Sequence, residues 1–180
     1  MIALLRGADR VATPWKNGGG MTREVAIWPP RSTLNDFDWR VSIAEVHDAG
    51  PFSPFEGIDR TLVILEGCLA LTFGDRAVEL HPGSAPFAFA GDLSCAGRPI
   101  GGAVTDLNVM TRRGACTAHI RRIAAGTASL TAASTLVVAS APTAIRLGAH
   151  ALSLAPFDAV LIDEPCEPSP SGAAFAIGFV

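Results

Sequence analysis

The stretch Phe37-Asp-Trp-Arg-Val-Ser-Ile-Ala-Glu-Val46 decides the fold, because large apolar residues alternate in it with polar or small ones. Successive side chains of a β-strand point to opposite sides, so Trp39 and Val41 share one face while Arg40 and Ser42 share the other. A period of two is typical of a strand with one side turned to a core. The stretch therefore predicts a β-strand rather than a helix.

Similar short segments recur along the chain, and turns such as Gly74-Asp75 and Pro82-Gly83 separate them. The further predicted strands are 22–28, 61–65, 69–73, 77–80, 87–90, 105–110 and 118–123. In the Ala- and Ser-rich interval 124–141 a helix competes, but the β-branched residues there favour strands. Many short strands in close succession predict an all-β fold of the sandwich or barrel type.

Composition restricts the class of partner. The 180 residues are 49% hydrophobic, which is enough to bury a sizeable core. Lys and Arg number 14 against 17 Asp and Glu, and no basic run exists, which argues against nucleic acid. Met1-Ile-Ala-Leu-Leu-Arg6 lacks the length and basic start of a signal peptide. The uncharged interval between Arg122 and Arg146 contains Pro142 and many Ser and Thr residues, so we expect no membrane span and a cytoplasmic location.

Three stretches carry residues suited to binding. The first is Pro14-Trp-Lys-Asn-Gly-Gly-Gly-Met-Thr-Arg-Glu24, where three glycines let the backbone approach a ligand closely. Lys16 and Asn17 precede them, and the successive N–H groups from Gly18 onwards can form an anion-binding nest. The alternative is a solvated loop that Trp15 anchors.

The second stretch is Gly50-Pro-Phe-Ser-Pro-Phe-Glu-Gly-Ile-Asp-Arg60, a loop rich in Pro and Phe that leads into a strand. Arg60 at the mouth of that strand presents a rigid fork of donors that matches a carboxylate. The alternative is a surface ion pair between Asp59 and Arg60, which would contribute little.

The third stretch is Thr105-Asp-Leu-Asn-Val-Met-Thr-Arg-Arg113, whose alternation places Asp106, Asn108 and Met110 on one face. If that face points into a barrel, the two polar side chains need partners such as Lys16, Arg60 or a ligand. If it points outward, they are merely solvated. Arg40 and Ser42 share a face in the same way and are further candidates.

Metal and nucleophile sites are not predicted. The histidines at 47, 81, 119 and 150 form no HxH or HExxH pair, and no serine lies in a GxSxG motif. We therefore expect neither a metal nor a cofactor. Charged and polar clusters lie before about Arg113, so the first part of the chain is expected to carry the site and the blander second part to be its structural partner.

The chain resembles the HutD/Ves family in several short motifs and in their order. These motifs are Trp15-Lys-Asn-Gly-Gly-Gly20, Trp39-Arg-Val-Ser-Ile-Ala44, Gly50-Pro-Phe-Ser53, Asp59-Arg60 and Asp106-Leu-Asn-Val-Met110. The resemblance spans residues 4–113. It implies a bicupin-like fold with two β-barrels in one chain, here 1–114 and a degenerate 115–180, with an exchange of strands between them left open. It also implies association with histidine-utilisation genes, binding of a degradation intermediate such as N-formylglutamate, and restraint of the pathway. No enzymatic activity is established for the family.

A metal-binding cupin carries an HxH pair followed by an acidic ligand. With Leu65-Glu-Gly67 as the anchor, those positions hold Ser53, Phe55 and Arg60 here, and the later histidine falls near Cys95. A cation thus stands where a carboxylate would help to hold a metal. This replacement predicts a pocket for an anion.

The sequence therefore predicts a metabolite-binding regulatory protein with a small acidic ligand, walled in part by Phe52 and Trp39. Its predicted ligand-binding residues are Lys16, Asn17, Gly18, Arg40, Ser53, Phe55, Arg60, Asp106 and Asn108. The rival interpretation is a metal-free cupin enzyme, an isomerase or hydrolase of a small carboxylated or sugar-like substrate, with Lys16 or Asp106 as acid or base. A pure protein-interaction scaffold is a third, and a homodimer is left open.

Overall fold

The computed structural model describes residues 1–125, 132–148, 150–164 and 168–180. Within these ranges the regular structure is β-strand apart from one short 3-10 helix, Gly7–Asp9, so the all-β prediction is confirmed. No helix in the described ranges has the length and apolar character needed to cross a membrane.

The strands are numbered here in chain order. They are β1 Ile2–Leu5, β2 Ala12–Pro14, β3 Gly20–Trp28, β4 Trp39–Val46, β5 Gly50–Phe52, β6 Ile58–Glu66, β7 Leu69–Phe73, β8 Arg76–Leu80, β9 Phe87–Ala90, β10 Cys95–Pro99, β11 Val104–Arg112, β12 Ala118–Ile123, β13 Ser134–Ala139, β14 Thr143–Leu147, β15 His150–Leu154, β16 Ala159–Ile162, β17 Ser169–Pro170 and β18 Ala174–Phe179. Each predicted strand corresponds to one of these. In the interval 124–141 the structure has β13, while 126–131 lie outside the described residues.

The chain folds into two compact units, of which one is Val11–Cys116. Its strands form a six-stranded sheet in the order β2-β3-β4-β11-β6-β9 and a four-stranded sheet in the order β5-β10-β7-β8. One apolar cluster joins Leu62 and Ile64 of the larger sheet to Leu69 and Leu71 of the smaller. The two sheets of this unit therefore share a core between their facing sides.

The other unit combines Met1–Arg10 with Thr117–Val180. It has a five-stranded sheet, β1-β16-β13-β18-β12, and a three-stranded sheet, β15-β14-β17. Its core cluster contains apolar side chains such as Val137 and Ile162 from the larger sheet and Ile145 from the smaller. The N-terminal strand β1 pairs with β16, so the start of the chain folds with its C-terminal part.

Candidate functional site

The candidate site lies on one face of the six-stranded sheet, where β11 runs between β4 and β6. The register places three rows of side chains across these strands: Arg40–Met110–Arg60, Ser42–Asn108–Leu62 and Ala44–Asp106–Ile64. Directly paired residues of an antiparallel sheet point to the same side. Asp106 and Asn108 are 2% and 8% exposed, so this face is interior and the solvated alternative is wrong.

Arg60 is the centre of the group and is buried, with 7% of its surface exposed. Its Nε donates to Oδ1 of Asn108 and its Nη1 to the carbonyl oxygen of Ser53, both at 3.4 Å. These are long bonds, and the Nη2 donors have no hydrogen-bond partner among the described residues. The predicted alternative of an Asp59–Arg60 surface pair is wrong, because Asp59 is bonded to Arg113 instead.

Three phenylalanine rings surround this guanidinium. Its Cζ lies 5.4 Å from the ring centroid of Phe52, 5.6 Å from that of Phe55 and 5.2 Å from that of Phe89. Such contacts attract a cation through the negative faces of the rings, but they do not neutralise its charge. Sequence reasoning missed Phe89, because its place beside Arg60 follows from the non-local pairing of β9 with β6.

Two glycines allow this close packing. A Cβ on Gly97 of β10 would lie 2.5 Å from Cε1 of Phe52, so the ring occupies the space that a side chain would need. A Cβ on Gly91 would lie 2.7 Å from the carbonyl oxygen of Ile58 and 3.4 Å from Cδ of Arg60. The lack of a side chain at these two glycines leaves room for the Phe52 ring and for the aliphatic part of the Arg60 side chain.

Asp106 is the buried acid of the group. Its Oδ1 is buried and has no hydrogen-bond partner among the described residues. Burial raises the pKa of this carboxyl to about 7, although the positive charge of Arg60 acts in the opposite direction. Burial likewise lowers the pKa of Arg60, opposed by Asp106, and raises the pKa of the nearby Cys95 thiol.

Arg40 supplies a second cation on the same face, but this one already has a partner. Its Nε donates to Oε2 of Glu24 at 2.8 Å, and its Nη1 lies 3.4 Å from Oγ of Ser42. The Arg40 side chain is 12% exposed and that of Glu24 is 45% exposed. Arg60, by contrast, has no ion pair within 4.0 Å among the described residues, so its charge is less compensated than that of Arg40.

The glycine-rich loop does not join this group directly. Lys16, Asn17 and Gly18 are exposed, and Oδ1 of Asn17 accepts from the Gly19 N–H at 3.0 Å. Trp15 ties the loop down: its indole N–H donates to Thr22 at 2.8 Å, and its ring meets Phe52 edge-on at 5.9 Å. No hydrogen bond joins Lys16 to Arg60, Asp106 or Asn108 in the described part of the chain, and a ligand role for the loop stays a prediction.

One predicted wall residue is on the wrong side. Trp39 precedes Arg40 and pairs with Thr111, so it points to the opposite face of the sheet from Arg60. The positions aligned with cupin metal ligands do meet, since Ser53, Phe55 and Cys95 all lie around Arg60. The described residues include no group of three or more His, Cys, Asp or Glu side chains that could hold a metal.

The model of the HutD family matches residues 7–174. The chain belongs to the HutD family. Protein Ves from Citrobacter koseri is 40% identical over 112 residues, which are 59% of this chain and 56% of Ves. A 21.2 kDa protein in the hutC 3′ region of Pseudomonas putida is 38% identical over 111 residues, 61% of this chain and 57% of that protein. These matches span little more than half the length of the curated relatives.

Solved structures agree over the whole length of this HutD-family chain. HutD from Pseudomonas fluorescens SBW25, obtained in a formate condition, has a TM-score of 0.88 and 30% identity and covers 100% of this chain and 98% of its own. Bacterial pirin from Escherichia coli has a TM-score of 0.64 at 9% identity, which shows a shared cupin-like all-β fold alone. The family predicted from the motifs is therefore confirmed.

Proposed function

We propose that this protein binds a small acidic metabolite through Arg60 and passes on its concentration as a regulatory signal. The observation that carries the proposal is the buried guanidinium, which lacks an ion pair among the described residues. Burying an uncompensated charge costs several kcal/mol, on the order of the stability of a domain. An anion that accepts hydrogen bonds from Nη1 and Nη2 would offset this cost, because such hydrogen bonds are charge-assisted.

The wall around Arg60 favours a carboxylate on a small organic ligand. Phe52, Phe55 and Phe89 are apolar surfaces suited to carbon atoms, and Asn108 is close enough to orient the arginine. N-formylglutamate or a related intermediate of histidine degradation has the required charge. That choice rests on the relatives, one of which lies in a hutC 3′ region.

The proposal includes a cytoplasmic location and one β-barrel in each unit. Support for the barrels is that each unit has two sheets joined by one apolar cluster. The core of the unit that contains the C-terminus is apolar, which is why the ligand site is assigned to Val11–Cys116.

Calorimetric titration with formate and with N-formyl-L-glutamate tests the site. Arg60→Met keeps much of the stem volume and removes the charge, so we expect affinity to fall at least about tenfold, or about 1.4 kcal/mol. The control is Arg76→Met, which removes an exposed arginine of the same unit. Equal affinity of the wild type and Arg60→Met would contradict the proposal, as would equal losses in both variants.

A second candidate function is catalysis, and the observation that favours it is Asp106. A buried carboxyl with a pKa of about 7 beside an arginine can take up or release a proton near neutral pH. It suits a metal-free isomerase or hydrolase. Release of formate from N-formyl-L-glutamate by the purified wild type, lost in Asp106→Asn, is the result that would favour the enzyme over the binding protein.

A further inference from the structure

We propose that the site around Arg60 takes up one proton together with its anion, and that the carboxyl group of Asp106 binds this proton. The inference rests on the proposed anion site and adds its pH regulation. The proton comes from solvent, an O–H bond forms on Asp106, and no other bond is made or broken. The proposal is supported by the buried position of this carboxyl group and by its lack of hydrogen-bond donors among the described residues.

Asp106 has little around it that could stabilise its charged form. Its paired neighbours are Ala44 on β4 and Ile64 on β6, which offer no side-chain donor, and its Oδ1 is buried without a partner among the described residues. Asn108 lies two residues along the same face of β11, but no hydrogen bond from its amide nitrogen to Asp106 is found among the described residues. The positive charge of Arg60 is therefore the main support of the aspartate anion.

The other charged groups near this face are few. Arg40 of β4 is paired with Glu24 of β3, and Cys95 of β10 is a thiol whose pKa burial raises. The remaining acids of β4 and β6 have their own partners: Glu45 with Arg23, Asp59 with Arg113, and Glu66 with Thr105. The arginines of these pairs are engaged by other carboxylates, so Arg60 is the counter-charge that acts on Asp106.

The single positive charge of the arginine can neutralise only one anion at a time. In the free protein, a deprotonated Asp106 partly neutralises the positive charge of Arg60 and so competes with the ligand for it. An incoming carboxylate that pairs with Arg60 removes this support and adds a like charge, and both effects favour the protonated carboxyl. The ligand therefore binds to the form of the site in which Asp106 carries a proton.

The affinity for the anion is expected to decrease with rising pH. Below the pKa of the free-site carboxyl, about 7, Asp106 is already protonated and the affinity is constant. Above it, each binding event takes up a proton, so the affinity falls as the pH rises. From about pH 6 to about pH 8 the expected loss is about tenfold, provided that the pKa in the complex lies well above 8.

Formate is the probe for the test, because it stays ionised across this range. Its binding is measured by calorimetry between about pH 6 and about pH 8 in bis-tris, imidazole and Tris, bases that add no competing buffer anion. Different ionisation enthalpies of the buffers report the number of protons taken up. Wild-type protein should show the tenfold loss and an uptake approaching one proton at the upper end. Asp106→Asn should bind at every pH as the wild type does at about pH 6, with no proton uptake.

The control is Asp75→Asn, which removes an exposed carboxylate of the β7–β8 turn and should retain the pH dependence. Formate binding to the wild type with constant affinity and no proton uptake would overturn the linkage and leave the anion site standing. Uptake that persists in Asp106→Asn would overturn the role of this carboxyl. Absence of formate binding at every pH would overturn the anion site, and this inference with it. The wild-type proton count decides the linkage even if the variant does not fold.

Discussion

At the scale of single residues, the buried arginine is the feature that a structural role explains least. Arg60 lies among three phenylalanine rings with two long hydrogen bonds and no ion pair in the described ranges. A residue kept for stability alone would be apolar at such a place, since well-packed apolar substitutes for buried charges are often neutral or stabilising. The anion site proposed for Arg60 accounts for a cation at this place.

Arg60→Met should separate stability from binding. Because the charge is buried and incompletely compensated, we expect the free energy of unfolding without ligand to stay equal or to rise by about 1–3 kcal/mol. Urea unfolding of the ligand-free protein at neutral pH measures this change. A loss of several kcal/mol would instead show that the guanidinium is a structural element of the core.

Asp106→Asn should change the pH dependence of stability. The folded state holds a proton on Asp106 up to a pKa of about 7, whereas the unfolded chain releases it near its usual value. Folding therefore binds a proton in the window from about pH 4 to about pH 7. The contribution of Asp106 to wild-type stability falls as the pH rises through this window by up to about 4 kcal/mol in total, then levels off. The stability difference between Asp106→Asn and the wild type should grow across this window. A difference that is flat with pH would contradict the raised pKa.

Alternation in the sequence predicted which of these residues share a face. Asp106, Asn108 and Met110 were expected on one side of a strand, and Arg40 and Ser42 on one side of another; the register shows both. The interior position of that face could not be read from one strand, because it depends on which sheet covers it. The distance between Lys16 and Arg60 depends on the path of a loop with three glycines. The local sequence pattern does not determine that path.

At the scale of elements, β10 is one of the strands that sequence patterns did not predict. Cys95-Ala-Gly-Arg-Pro99 contains a glycine and a proline, both depleted in strands. The structure gives the reason for the glycine: β10 pairs with β5 and β7, and Gly97 leaves room for the ring of Phe52. A position that looks unfavourable for a strand thus supports the wall of the site.

Gly97→Ala should weaken binding by moving that ring. The new Cβ would lie 2.5 Å from Cε1 of Phe52, so the ring must shift away from its place over Arg60. We expect formate affinity to fall by about twofold to thirtyfold, since one aromatic contact with a cation contributes about 0.5–2 kcal/mol. The control is Ala96→Ser, because residue 96 is exposed on the other side of the strand. Unchanged affinity in Gly97→Ala would show that Phe52 does not hold the arginine.

At the scale of the whole molecule, the two units differ in what their interiors contain. The described core of the unit with the chain termini is apolar, and its buried acid, Asp158, is satisfied by the N–H groups of Gly7 and Ala155 and by Arg6, at 2.7, 3.0 and 2.7 Å respectively. Among the described residues, Asp106 in the unit Val11–Cys116 has no such set of partners. The contrast supports a structural role for Asp158 and the proton-binding role proposed for Asp106.

The sequence indicated this difference in polarity between the two parts of the chain. It did not indicate that β1 belongs to the same unit as Thr117–Val180. The pairing of β1 with β16 joins residues about 160 positions apart, and no local signal specifies such a contact. Family resemblance, by contrast, was readable from a few motifs and holds for residues 7–174.

Asp158→Ala should destabilise the protein without affecting the site. Burial would raise the pKa of Asp158, but the hydrogen bonds from Gly7, Arg6 and Ala155 outweigh it and lower the pKa. Its stabilising effect is therefore present above about pH 4 and lost as the pH falls through the folded-state pKa. At neutral pH we expect a loss of about 2–4 kcal/mol in the free energy of unfolding, measured with urea, and unchanged formate affinity. Asp9→Asn, which changes an exposed acid close in sequence to Arg6 and Gly7, should change neither quantity.

The central claim is that Arg60 holds the carboxylate of a small acid. A crystal structure of the protein with N-formyl-L-glutamate, grown at about pH 6 where Asp106 holds its proton, tests it most directly. The account predicts a ligand carboxylate within about 3 Å of the Arg60 Nη atoms, between the phenylalanine rings. A bound ligand elsewhere, with Arg60 still in contact with Asn108 and Ser53 alone, would contradict it.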